Sequence, residues 1–81
     1  MTRQEIEQIT NEFLVEEIEI DETALNSEAH LKDDLGIDSL DFVDIVVIVE
    51  RNFGFKIKAE EMAGVTTLGA FYDYIEQKVN G

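Results

Sequence analysis

Residues 39–53 carry more apolar side chains than one face of a helix in a small protein easily buries. That excess constrains the chain more than any other feature. Asp38 or Ser39 supplies a helix start, and Gly54 supplies a stop. The β-branched run from Val43 resembles a strand in composition, but its length and spacing predict a helix. Phe42, Ile45, Val46, Val49 and Phe53 recur at i, i+3, i+4, i+7 and i+11 and predict a buried stripe. Leu40, Val43 and Val47 form a second set at i, i+3 and i+7, beside Asp41, Asp44 and Glu50. With 81 residues, such a chain buries only about 60–65% of its unfolded surface. The second stripe is therefore either the margin of a wide core face or a surface left for a partner, and periodicity leaves both open.

The rest of the chain predicts three more helices. Thr2-Arg3-Gln4-Glu5 fits a capping box, followed by Ile6, Ile9, Phe13 and Leu14 at helical spacing. A first helix is expected over residues 3–17. This helix start at the beginning of the chain fits a free-standing protein, one domain over 1–81. Residues 18–32 lack a clean period. Asp21, Thr23, Asn26 and Ser27 favour turns, while Ile18, Ile20, Leu25 and Leu31 are expected to pin this long loop to the core. Residues 59–63 predict one short helical turn ended by Gly64. Thr66 or Thr67 caps a last helix whose buried stripe is Leu68, Phe71, Ile75 and Val79, with Tyr72 or Tyr74 at the edge and Lys78 suiting the helix dipole. The expected fold is all-α: a small four-helix bundle with a long first loop and a short third helix. Its core is expected to comprise Ile6, Phe13, Phe42, Ile45, Val49, Phe71 and Ile75.

Charge narrows the partners. Nineteen acidic and six basic residues give a net charge of −13, and no base lies between Arg3 and Lys32 against nine acids. Nucleic-acid phosphates and anionic membrane surfaces are repelled; basic protein surfaces are attracted. The ordered apolar spacing argues against disorder. There is no basic-then-apolar leader, and the apolar run 45–49 is five residues, where a membrane span needs about 20. A soluble, cytoplasmic protein is expected. The chain has no cysteine, so any thiol chemistry must come from an attached group. One histidine, His30, cannot build a metal cluster, and a loop-bonded or solvated role is expected for it. Asp33, Asp34, Asp38 and Asp41 lack the spacing of a calcium loop. They are read as mutually repelling, so moderate salt or divalent cations should raise the melting temperature.

Ser39 is the residue to weigh. As a serine at a helix start it is an ordinary capping or first-turn residue. As a hydrolase nucleophile it would need a general base and an oxyanion hole. Only His30 offers an imidazole, the glycine pattern of a nucleophile elbow is missing, and Asp38 and Asp41 oppose a developing oxyanion. The third reading is an attachment site, reachable because a serine at a helix start is exposed.

Asp34-Leu35-Gly36-Ile37-Asp38-Ser39-Leu40-Asp41 resembles the attachment motif of acyl carrier proteins. Helix lengths, the acidic second helix, Phe53-Gly54-Phe55, Ile57 and the Thr66-Thr67-Leu68 start extend that resemblance over nearly the whole chain. The resemblance implies a 4'-phosphopantetheine arm on Ser39, installed by a phosphopantetheinyl transferase from coenzyme A, with acyl groups carried as thioesters. It implies partner recognition by Asp38, Leu40, Asp41, Val43, Asp44, Val47 and Glu50, and partners that are acyl-transferring or condensing enzymes with basic surfaces. It also implies a protein that carries cargo and is not itself an enzyme. A monomer is expected, and the lone histidine and the carboxylate spacing predict no metal site. The core would loosen to admit an acyl chain.

Arg51, Lys56, Lys58, Ala63 and Gly64 depart from the pattern common in fatty-acid synthesis, and Phe42 and Phe71 narrow the interior. These departures point to a carrier for a particular lipid or polyketide-like pathway. Peptidyl carriers more often pair glycines before the serine, and D-alanine carriers match less well. The rival readings are an acidic interaction protein, such as a nucleic-acid mimic, and an unmodified carrier-like domain with a structural role.

Overall fold

The computed structural model describes residues 1–81. Helix α1 (Arg3–Glu16) opens with the expected capping box: the Glu5 amide donates to Thr2 Oγ1 at 3.1 Å, and the Thr2 amide donates to Glu5 Oε1 at 2.8 Å. Its buried face is Ile6, Thr10, Phe13 and Leu14. Glu17 caps the C-terminus, and Glu19, at φ 64°, turns the chain so that the Ile20 amide reaches the Leu14 carbonyl at 2.9 Å.

The long loop is held at both levels. Ile20, Ala29 and Leu35 are buried, with Ile18, Leu25 and Leu31 packed at the core margin. A three-residue 3-10 turn, Glu22–Ala24, is capped by Asp21. The loop backbone then pairs with the start of the last helix. Leu31 donates to the Thr66 carbonyl, Leu68 to the Ala29 carbonyl and Gly69 to the Ser27 carbonyl, each at 2.9 Å. The bonds from Leu68 and Gly69 satisfy first-turn amides that a helix leaves unpaired. Gly69 is required by the approach: a Cβ there would lie 2.9 Å from the Ser27 carbonyl oxygen.

Helix α2 (Ser39–Phe53) ends at Gly54, which takes the left-handed conformation at φ 78°. Its buried face differs from the expected stripe. Ile45, Ile48 and Val49 are buried, whereas Phe42, Val46 and Phe53 sit half-buried at the margin. The core meets the helix along i, i+3, i+4 from Ile45, so Ile48 replaces Val46 in the interior. Phe42, in the first turn, reaches only the upper edge. After the connector, where Ile57 is buried, residues Ala59–Gly64 form a 3-10 helix with no buried residue. It is the short third helix expected there.

Helix α3 (Leu68–Asn80) is capped by Thr67, whose Oγ1 accepts from the Ala70 amide at 3.2 Å. Leu68, Phe71, Tyr72, Tyr74 and Ile75 are buried. Neither tyrosine lies at the edge, as the sequence suggested: both rings are inside and only their hydroxyls reach out, Tyr72 to Asn11 and Tyr74 to Glu61 at 2.7 Å. Helix α1 packs antiparallel on α3, for Arg3 reaches Asp73 and Glu76 while Asn11 meets Tyr72. The three α-helices and the loop share one cluster of buried apolar residues. The result is an all-α four-helix bundle with a long first loop and a short third helix. No helix is long and apolar enough to cross a membrane.

Candidate attachment site at the start of helix α2

The turn that presents Ser39 is built from the loop inward. Leu35 is buried, and its amide and that of Asp34 donate to the His30 carbonyl at 3.0 and 2.9 Å. Asp34 Oδ2 accepts from the His30 amide at 2.8 Å. Gly36, at φ 71°, reverses the chain where a side chain would be strained. The Ile37 amide then returns to the Leu31 carbonyl at 2.9 Å. The chain enters α2 with its direction fixed.

Asp38 is the N-cap. Its Oδ1 accepts from the Leu40 and Asp41 amides, both at 3.0 Å, and Asp41 Oδ2 accepts from the Asp38 amide at 3.3 Å. This reciprocal cap leaves Ser39 as the first helical residue, exposed to solvent. Ser39 is not the cap, and its hydroxyl forms no hydrogen bond within the protein. His30 is exposed too, and it lines a shallow groove with Leu31, Lys32, Asp33, Val65 and Thr66. No hydrogen bond joins it to Ser39, and its backbone pairs with Thr67. The serine has no general base of the kind a hydrolase needs.

The second apolar stripe is exposed. Leu40, Val43 and Val47 are 76%, 60% and 57% accessible, and with Met1 they are the exposed large hydrophobic residues of the chain. The wide-core alternative therefore fails for these three. Asp44 and Glu50 are exposed on the same helix and Asp41 is half-exposed; none of these, nor Asp38, enters an ion pair. The cations of the ion pairs are Arg3, Arg51 and Lys78. Arg51 lies on α2, yet its Nη2 turns to both carboxylate oxygens of Glu17 at 2.8 and 2.7 Å and leaves the acidic face uncompensated.

The surface grooves lie elsewhere, each open to solvent, and none is lined by Ser39, Leu40, Val43 or Val47. The core around Phe71 and Ile75 is closed. Sequence reasoning missed Ile48, Ala29 and Thr10 inside it; Thr10 is fully buried, and its hydroxyl has no partner. The available signal for Thr10 was its position, one turn from Ile6 and one turn from Leu14 on the apolar face of α1.

The family model of the phosphopantetheine attachment site matches residues 7–75. An acyl carrier protein of Thermotoga maritima is 38% identical over 78 residues, a span that covers 96% of this chain and 96% of that protein. The residues present fit a tethered arm. The Ser39 hydroxyl is uncovered and unbonded, so a group joined to it displaces nothing. The Leu40 and Asp41 amides are already held by Asp38, so a phosphodiester there would find only the amide of Ser39 itself, between two carboxylates. That favours an arm projecting into solvent over one folded onto the helix end. On these grounds the chain belongs to the acyl carrier protein family, whose prosthetic group is 4'-phosphopantetheine.

Proposed function

We propose that Ser39 bears the phosphopantetheine arm and that the whole chain, 1–81, acts as one carrier domain for acyl groups. The observation that carries this reading is the free, exposed hydroxyl of Ser39 at the first position of α2, inside the Asp34 to Asp41 motif. A phosphopantetheinyl transferase would join Ser39 Oγ to the phosphorus of coenzyme A that bears the pantetheine. The pyrophosphate P–O bond breaks, adenosine 3',5'-bisphosphate leaves, and the hydroxyl proton passes to a base of the transferase. The arm, once attached, supplies a terminal thiol on which acyl groups ride as thioesters. This chain presents and delivers cargo and catalyses nothing.

Docking falls to α2. Leu40, Val43 and Val47 offer apolar contact, ringed by Asp38, Asp41, Asp44 and Glu50, which have no internal cation. Partners are acyl-transferring or condensing enzymes with basic patches, guided in by charge and held by the apolar stripe. The protein works as a cytoplasmic monomer. Arg51 engaged by Glu17, Lys56 and Lys58 in the connector, and Ala63 and Gly64 in the third helix support a dedicated lipid or polyketide-like pathway over general fatty-acid synthesis.

The test is intact mass after incubation with coenzyme A, magnesium and a broad-specificity phosphopantetheinyl transferase, beside a Ser39→Ala control. One phosphopantetheine gained by the wild type and none by the control is expected. No gain by the folded wild type would overturn the assignment and favour an unmodified, structural role. Gain by both proteins would move the site to another residue.

A further inference from the structure

Thr10 stands apart from every other buried residue. It is fully buried on the core face of α1, with Ile6 and Leu14 one turn away on either side. Its Oγ1 is the chain's one buried side-chain polar atom without a hydrogen-bond partner. It does not bond back to the Ile6 carbonyl, the usual refuge of a threonine inside a helix. An orphaned hydroxyl in an apolar interior is costly, and native proteins rarely keep one without use. Valine has the same shape and would remove that cost.

We propose that the Thr10 hydroxyl is a specificity determinant for cargo: it favours acyl chains that carry an oxygen, as a hydroxyl or a keto group, along the chain. The inference rests on the assignment of the arm to Ser39. An alkyl chain carried on an exposed arm is driven out of water in proportion to its length. The one continuous apolar volume in the molecule is the cluster around Ile6, Leu14, Val49, Leu68, Phe71 and Ile75. No cavity stands open in it, so a chain that enters must part these side chains. A plain alkyl chain beside Thr10 leaves the hydroxyl as unsatisfied as before. A chain bearing an oxygen gives it a partner, and the hydroxyl can act as donor to a keto group or as donor or acceptor to a hydroxyl.

The experiment loads Ser39 with octanoyl-phosphopantetheine, or with the 3-, 5- or 7-hydroxyoctanoyl forms, from the corresponding acyl-coenzyme A. Loading is verified by mass, so failure of the attachment assignment appears as no mass gain and is distinct from failure of this inference. Melting temperatures are then compared in wild type, Thr10→Val and Thr10→Ser. At least one hydroxyoctanoyl form is expected to melt about 4 °C above the octanoyl form in the wild type, the shift of one buried hydrogen bond in a domain this small. Thr10→Val should erase that difference while raising the melting temperature of the unloaded protein. Thr10→Ser should retain the difference. Equal melting of octanoyl and all three hydroxyoctanoyl forms in the wild type, or a difference that survives in Thr10→Val, would overturn the proposal. So would an unloaded Thr10→Val protein that gains no stability, because the hydroxyl would then have a partner already.

Discussion

Two acidic surfaces of this molecule are built in opposite ways. Where α1 meets α3, Arg3 draws Glu7, Asp73 and Glu76 together and stacks its guanidinium over Tyr72, 5.4 Å from the ring centre. The guanidinium is held firmly protonated, chiefly by its hydrogen bond to Asp73 and then by those to Glu76 and Glu7, against the cost of burial. The apolar residues beneath are covered. On α2, Asp38, Asp41, Asp44 and Glu50 have no cation, and Leu40, Val43 and Val47 lie open. The first surface is complete in the isolated molecule. The second combines unspent attraction with uncovered apolar area, and each becomes favourable only against another surface. A carrier needs both: one face that keeps it folded and one that folding does not use.

The largest expected effect separates the two apolar populations. Phe71→Ala, in the core against α1, should cost about 3–5 kcal/mol in urea denaturation, whereas Val43→Ala should change stability by less than about 0.5 kcal/mol. A comparable loss for Val43 would mean that the α2 stripe is structural after all. Removing charge should act with opposite signs on the two faces. Arg3→Met leaves three carboxylates facing one another and should cost about 1 kcal/mol, the scale of a partly exposed network. Asp44→Asn should stabilise by a few tenths of a kcal/mol, roughly the strength of one surface repulsion. Moderate salt should shrink both differences and raise the wild-type melting temperature. Equal signs for the two substitutions would erase the contrast.

The smallest effect concerns Glu61, which ties the third helix to α3. Its carboxylate accepts from Tyr74 at 2.7 Å and from Lys78 at 3.0 Å, and these bonds, Tyr74 first, hold its pKa below the ordinary 4.5. A lowered folded pKa gives stability that is complete above the unfolded value and lost as pH falls through the folded one. Glu61→Gln should therefore lower the melting temperature slightly at pH 7. The gap to wild type should stay constant down to about pH 4.5 and close below it. A gap that persists in acid would point to packing and away from charge.

The helices were legible because their start and stop signals are local. Thr2 with Glu5, Asp38 with Asp41, Thr67 and Gly54 do in the structure what their types predict. The exposure of Ser39 followed from its place at a helix start. The α2 stripe was half legible: spacing separated two apolar sets but placed the buried one a step away from Ile48, because the facing core decides which side turns inward. The tyrosines were misplaced because a hydroxyl suggests the edge, while Asn11 and Glu61, distant in sequence, let both rings go inside. The pairing of the loop with α3 through Ser27, Ala29 and Leu31 had no signature in the sequence, since backbone bonds do not depend on side-chain type. Thr10 escaped for a related reason: whether a buried hydroxyl has a partner is settled by three-dimensional neighbours.

The reciprocal cap of Asp38 and Asp41 has a consequence for reach. A helix end with vacant amides would grip the first phosphate of a tether and give it a resting direction. Here Asp38 takes the Leu40 and Asp41 amides and only that of Ser39 stays open, so a tether on Ser39, the site proposed above, would pivot at its first bond and sweep a hemisphere above the helix. Orientation then comes from outside. Whichever surface settles on α2 sets the bearing of the swing, so one small protein can serve catalytic mouths at different angles without changing its own shape.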